Sequence, residues 1–145
     1  MDPTLTKMSF GFRTTGDDKD ADTSVLAVVI VNEHAVAQRL DFGQGQSDDH
    51  FANDVNNGNN GPWDLPVNEH PLKSELNKGR YEVTITPNGN DRWVFVAYLR
   101  AEFSDGTARN WVLQGGDVEI KKNLSGEFLA NRPTASWNLA DSPHD

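Results

Sequence analysis

Between Thr14 and Val25 the chain reads TTGDDKDADTSV, which packs Asp17, Asp18, Asp20 and Asp22 into six positions with Lys19 as the one cation among them. Carboxylates this close repel one another, and keeping them all ionised costs free energy unless a cation compensates. An oxygen-only donor set with no Cys and no His suits a hard ion. Ca²⁺ takes about six to eight oxygen ligands in a flexible shell, whereas Mg²⁺ demands a stricter octahedron and Zn²⁺ prefers nitrogen and sulfur. Ca²⁺ is therefore the expected cofactor. The spacing of Asp18, Asp20 and Asp22 is that of the opening of an EF-hand loop. Counting Asp18 as first, however, the sixth residue is Thr23 rather than Gly and the twelfth is Val29 rather than Glu, so the motif is not an EF-hand.

The competing reading is a solvated acidic turn. Against it stand the density of the carboxylates and their place directly before SVLAVVIV, one of the most apolar runs in the chain. A strand-end site needs further ligands from a second loop. PNGND offers Asn88, Asn90 and Asp91 just before a long apolar strand, and SDGT offers Asp105. The expected metal ligands are Asp17, Asp18, Asp20, Asp22, Asn88, Asn90 and Asp91, with Asp105 as the alternative second-loop donor.

The elements that must position these residues are short strands. MSFGFRT alternates Met8, Phe10 and Phe12 on one face, and RYEVTIT alternates Tyr81, Val83 and Ile85. RWVFVAYLRAEF places Trp93, Phe95, Ala97, Leu99, Ala101 and Phe103 on one face. SVLAVVIV reads as a central strand buried on both faces. NWVLQ and DVEIK read as two further strands, and GEFLA as a weaker one. Asn-Gly, Asp-Gly and Gly-Gly pairs in PNGND, SDGT and QGGD mark tight turns, and FSDGTARNW reads as a hairpin. HPLKSELNKG offers one or two helical turns ending at Gly79, and little other helix is expected. The pattern predicts an all-β fold, an antiparallel β-sandwich of about seven or eight strands. It forms a single domain over residues 1–133, followed by a loosely ordered tail over 134–145 in which Trp137 is a possible anchor. The stretch from Gly43 to Pro66 reads as a long Asn-, Asp- and Gly-rich loop, functional or disordered.

Composition narrows the classes. The chain has 145 residues, a length suited to one domain with its own core. It has no Cys, which excludes disulfides and thiolate metal sites. A formal net charge of -9 repels nucleic-acid phosphates, so nucleic acid is not an expected partner. No run approaches the roughly 18 apolar residues of a membrane span. The opening MDPTLTKMSF lacks the basic start and apolar middle of a signal peptide; an extracellular location is nonetheless the favoured expectation. The NLS at Asn123 is a formal glycosylation sequon of a length that chance often supplies.

In two blocks the chain resembles PLAT/LH2 domains, the C2-like β-sandwiches of lipoxygenases and lipases. FRTTGDDKDADTSVLAVVIV is similar to their first strand, calcium loop and second strand, with Thr15, Gly16, Asp17, Asp22 and Thr23 as the matching residues. YEVTITPNGNDRWVFVAYLRAEF is similar to a later strand, turn and Trp-led strand, with Trp93 as the match. The resemblance covers about half the chain. It implies a C2/PLAT-like sandwich whose loops bind Ca²⁺ and contact membranes or proteins. The acidic loop holds more Asp than that family shows, and residues 36–76 have no counterpart in it.

Catalytic motifs are weak. The four His are His34, His50, His70 and His144, and none stands in an H-x-x-x-H or H-E-x-x-H pattern. NEH occurs at 32–34 and again at 68–70, a repetition that coincidence explains. Ser47, Asp49 and His50 have the residue types of a hydrolytic triad, but triads assemble from distant segments. The chain is not expected to be an enzyme. Among the aromatics, Trp93, Trp111 and Trp137 read as core. Trp63, in NNGPWDLP, reads either as a ligand-binding ring or as a plug for the open end of the sandwich. The expectation is a calcium-binding module for a lipid or membrane surface or a protein partner. The alternatives are a carbohydrate-binding module with structural or bridging calcium, and a metal-independent interaction domain.

Overall fold

Alternation of apolar and polar residues drives nine strands into two antiparallel sheets, as seen in a computed structural model that describes residues 2–16, 23–41, 59–87 and 89–142. The strands are β1 (Leu5–Thr14), β2 (Ser24–Val31), β3 (His34–Asp41), β4 (Asn59–Leu65), β5 (Arg80–Thr86), β6 (Asp91–Phe103), β7 (Ala108–Lys122), β8 (Phe128–Arg132) and β9 (Thr134–Asn138). One turn of helix, α1 (Lys73–Leu76), precedes β5, and a 3₁₀ turn (Leu139–Asp141) follows β9. One sheet has the order β4-β1-β6-β7-β8, the other β3-β2-β5-β9. The expected β-sandwich is thus the fold.

The inner faces are those that the period-2 pattern marks. Met8, Phe10 and Phe12 of β1 and Trp93, Phe95, Ala97, Leu99, Ala101 and Phe103 of β6 are all buried, and they face Val25, Ala27 and Val29 of β2 and Tyr81, Val83 and Ile85 of β5. Trp93 stacks on Phe95 at 3.9 Å between ring centroids, and Phe12 meets both rings edge-on at 4.9 and 5.5 Å. The buried Trp93 indole N–H donates to the Thr14 hydroxyl at 3.1 Å, which satisfies the polar edge of the largest core ring. The Tyr81 hydroxyl is buried without a partner among the described residues, and burial pushes its pKa up, so it stays neutral.

Four expectations need correction. NWVLQ and DVEIK are one strand, β7, and not two. The Gly115–Gly116 pair that suggested a turn is a bulge: Gly115 takes φ +79°, and a Cβ on Gly116 would stand 2.7 Å from the Phe95 ring. The strand β2 is buried along its inner face, but Leu26 and Ile30 on the outer side are only half-buried. Part of the Gly43–Pro66 loop is β4, an edge strand paired with β1; residues 42–58 lie outside the described residues.

The fourth correction concerns the tail. Residues 134–138 form β9, paired with β5 from Thr84↔Thr134 to Arg80↔Asn138. Trp137 stacks on Tyr81 at 6.0 Å, meets Phe95 of the opposite sheet at 6.0 Å, and donates its N–H to the Gln114 carbonyl at 2.8 Å. Leu139 is buried and its carbonyl accepts the Trp111 indole N–H at 3.1 Å. A chain ending at Pro133 is therefore expected to lose several kcal/mol of stability, because a Trp and a Leu leave the core. Trp111→Phe strands the Leu139 carbonyl, which should cost about 1–3 kcal/mol, and the void left by the smaller ring adds to that loss. Urea-unfolding midpoints measure both, and an unchanged midpoint for the shortened chain would return the tail to the status of a loose extension.

Candidate functional site

The antiparallel order collects four connections at one end of the sandwich. There β1 finishes at Thr14 and β2 begins at Ser24, β3 finishes at Asp41 and β4 begins at Asn59. The turn from β5 to β6 and the hairpin from β7 to β8 lie at the same end. The acidic segment is therefore attached at this end through both flanks. Thr15 N–H donates to the Val94 carbonyl at 2.9 Å, and Gly16 lies against the Val94 side chain. On the other flank Thr23 is 1% exposed, and its hydroxyl donates to Asp91 Oδ2 at 2.5 Å. Asp17, Asp18, Asp20, Asp22 and Asn88 lie outside the described residues.

The remaining second-loop residues are both fastened into this end. Asp91 Oδ1 accepts the Arg92 N–H at 2.8 Å, and Asn90 Oδ1 accepts the Lys122 N–H at 2.9 Å. The Thr23–Asp91 bond joins the two sheets across 68 positions of sequence, and the Asn90–Lys122 bond ties the turn to the neighbouring hairpin. Asp105, the alternative donor, sits at the opposite end, separated from Asp91 by the 13-residue length of β6, about 40 Å. There it accepts from the Thr107 hydroxyl at 2.6 Å and the Thr107 N–H at 3.0 Å, and those bonds hold its carboxyl below the usual range. Topology thus separates Asp105 from the flanks of the acidic segment and brings Asp91 to one of them, at Thr23.

The β7–β8 hairpin is the feature that sequence reading missed. Its turn is closed by Asn123, whose N–H donates to the Glu127 carbonyl at 2.9 Å and whose side-chain oxygen accepts the Ser125 and Glu127 N–H groups at 2.9 and 3.0 Å. Gly126 supplies the positive φ. Around this frame Leu124 is fully exposed, Leu129 is 61% exposed and Phe128 is 53% exposed. Lys122 lies over the Phe128 ring, 4.7 Å from its centroid. Lys121 and Lys122 are both exposed on the adjoining end of β7. The signal in KKNLSGEFLANR is a pair of lysines beside apolar residues that no buried face claims.

An ion network fastens the base of this hairpin to the sheet. Arg92 on β6 grips Asp117 on β7 with Nε at 3.2 Å and Nη2 at 3.0 Å. Arg132 on β8 donates from Nη2 to the same carboxylate at 2.9 Å and from Nε to the Asp117 carbonyl at 3.1 Å. The Arg92 bonds first, and those of Arg132 with them, hold the Asp117 carboxyl below its ordinary value of 3.8.

Two other sequence features find different places. Trp63 is not an open loop ring. It stands on β4 opposite Phe10, half-buried, with its ring 5.7 Å from that of Phe10 and 6.4 Å from that of Phe12. Alternation along β4 turns it onto the core at the lateral edge of the sheet, opposite the middle of β1, and not over an open end of the sandwich. The two NEH tripeptides do meet: His34, Glu69 and His70 line one hollow of about 280 Å³ at the end opposite the acidic segment. His70 Nδ1 faces the Leu5 carbonyl at 2.8 Å and His34 Nδ1 faces Glu69 at 3.4 Å. Among the described residues no three His, Asp or Glu side chains gather closely enough to hold a metal ion. Ser47, Asp49 and His50 lie outside the described residues.

Comparison with protein-family models, with curated proteins and with solved structures finds no match.

Two outcomes follow from this geometry. Thr23→Val keeps the shape of the buried side chain but removes a donor from Asp91, and should cost about 1–3 kcal/mol in chemical denaturation, whereas Thr23→Ser should cost less. The second concerns acid. A carboxylate with a depressed folded-state pKa stabilises the fold above its unfolded value and loses that contribution as pH falls through the folded one. The stability difference between the native chain and Asp117→Asn should therefore be present at neutral pH and shrink below about pH 4. Since the pairs are partly exposed, it should amount to about 1 kcal/mol or less. Urea midpoints across pH 3–7, read against that roughly pH 4 threshold, test it, and a difference that persists unchanged into acid would contradict the assignment.

Proposed function

We propose that this chain is a calcium-binding β-sandwich module that docks on anionic lipid surfaces in a Ca²⁺-dependent way. The observation that carries the reading is the shared end. The segment bearing Asp17, Asp18, Asp20 and Asp22 is joined through Thr23 to Asp91, and Asn90 of the same turn holds the hairpin that exposes Leu124, Phe128 and Leu129 beside Lys121 and Lys122. An acidic segment alone would be repelled by lipid phosphates. Ca²⁺ among its carboxylates would cancel that repulsion and offer open coordination sites to the head groups. The hairpin supplies what the ion does not: apolar side chains to enter the interface and lysines to pair with its charge. The partial resemblance to PLAT/LH2 domains points the same way.

Magnitudes are sufficient for a reversible contact. Full burial of one Leu or Phe side chain is worth about 1.5–3 kcal/mol, and each lysine at an anionic surface about 1 kcal/mol. In co-sedimentation with vesicles of phosphatidylserine and phosphatidylcholine, the chain should pellet in millimolar Ca²⁺ and stay in solution in EDTA. Leu124→Asp with Phe128→Asp should weaken partitioning by on the order of a hundredfold or more, and Lys121→Glu with Lys122→Glu by at least about tenfold. Thermal unfolding run alongside isolates the ion: Ca²⁺ at about 100 times its Kd adds roughly 2.7 kcal/mol of stability, an increment that Asp20→Ala and Asp22→Ala should abolish. Equal pelleting with and without Ca²⁺ would remove calcium from the reading, and no pelleting in either would remove the lipid.

A further inference from the structure

The outer face of the five-stranded sheet has a hollow of about 520 Å³ that crosses β1, β6 and β7. Strand register orders its side chains into two adjacent rows. Gly11, Tyr98 and Val112 are cross-strand neighbours, with Pro62 of β4 beyond Gly11, and they make an apolar row. Ser9, Arg100 and Asn110 are likewise neighbours, one step along the strands, and they make a polar row. Two fixed contacts shape the surface. Arg13 donates from Nε to the Tyr98 hydroxyl at 3.2 Å, and Arg100 donates from Nη1 to Asn110 Oδ1 at 3.1 Å.

The geometry points to a groove for a polysaccharide of acidic sugars, a chain of uronate residues. A pyranose ring has an apolar C–H face and a polar rim, and the two rows match these as a stacking platform and a line of donors and acceptors. Charge selects among sugars. The chain carries 22 acidic residues against 13 Lys and Arg. Even so, no carboxylate among the described residues forms an ion pair with Arg100 or Arg13. With one N–H committed to Asn110, the rest of the Arg100 fork matches a sugar carboxylate in the bidentate geometry that guanidinium favours. Asp64 and Glu102 border the hollow without lining it and do not ion-pair with Arg100. An acidic peptide fits less well. An extended peptide gains affinity by adding to a sheet edge, and β1, β6 and β7 are each paired on both sides, so the face offers no row of open backbone groups.

The site is separate from the proposed calcium end, and its test must exclude that end because uronates themselves bind Ca²⁺. Affinity gel electrophoresis of the full chain in EDTA, with polygalacturonate, a neutral xylan, a neutral glucan and poly-glutamate in parallel gels, does so. The chain should be retarded by polygalacturonate and much less by the others. Arg100→Gln and Tyr98→Ala should each weaken that retardation by about tenfold or more, with thermal unfolding showing that both variants remain folded. Retardation by no polymer overturns the groove as a glycan site. Equal retardation by neutral glycans that Arg100→Gln leaves unchanged overturns the acidic-sugar assignment. Equal retardation by poly-glutamate overturns the sugar in favour of any carboxylate polymer. None of these outcomes in EDTA bears on Ca²⁺-dependent vesicle binding.

Discussion

An unbroken column of aromatic rings holds the two sheets in one register. It starts at Tyr81 on β5, passes to Trp137 on β9, crosses to Phe95 and Trp93 on β6, continues through Phe12 and Phe10 on β1 and ends at Trp63 on β4, with every step between 3.9 and 6.0 Å from centroid to centroid. Contacts in that range add about 0.5–1.5 kcal/mol per pair beyond the area they bury. They also have preferred geometries, so they resist sliding. A slip of one residue between β1 and β6 would turn Phe10 and Phe12 to solvent and part Trp93 from Thr14. The placement of Asp91 against Thr23, and of the outer-face rows against one another, depends on this register.

The sequence was most informative where both sides of a strand are paired. In β1, β5 and β6 the alternation is clear, because each buries one face in the aromatic column or against it, whereas the all-apolar β2 shows a strand but not which face is inner. What escaped is concentrated at the sheet edges. HAVAQRLD (β3), NNGPWDL (β4) and TASWN (β9) are edge strands, and the weakly marked GEFLA forms another, β8. An edge strand is half-templated by its neighbour and is better protected by polar residues, Pro or short length than by a strong β pattern. Pro62 within β4 is tolerated for that reason. The Gly115–Gly116 pair misled in the opposite direction, since two glycines mark a hairpin turn as readily as a bulge, and only the Phe95 ring beneath Gly116 decides between them.

The sequence suggests a chemistry for the candidate site but not its assembly. A run of four Asp is the reason to propose a cation there, and it needs no map of the fold. Whether Asp91 or Asp105 stands near it depends on which end of β6 meets the β1–β2 connection, and the two lie about 40 Å apart. Periodicity within β6 is the same for either answer. The exposed hairpin was hidden for a related reason. Lys121, Lys122, Leu124 and Phe128 gather around one hairpin only after β7 is known to run past the Gly-Gly pair to the end where Asn90 holds it.

The charge balance at this end explains why the proposed contact would be conditional. Four carboxylates in the 17–22 segment, with Asp91 beside Thr23 and Glu127 in the hairpin turn, stand against Lys19 in the same run and Lys121 and Lys122 on the hairpin. With Asp117 already engaged by Arg92 and Arg132, those two arginines are largely spent on the fold. An anionic surface would therefore meet a net acidic end, and at physiological salt that repulsion acts only within about 8 Å, the range in which Leu124 and Phe128 would have to insert. One divalent ion among the carboxylates would cancel most of that excess. The lysines then act with the ion rather than against the aspartates, and the apolar side chains come within reach of the interface. A hairpin with more lysines would adhere without the ion, and one with none would not adhere with it. The composition of KKNLSGEFL, two cations and the carboxylate of Glu127 beside three exposed apolar residues, sits between those limits, and that intermediate balance is what the proposed ion-dependent contact would require.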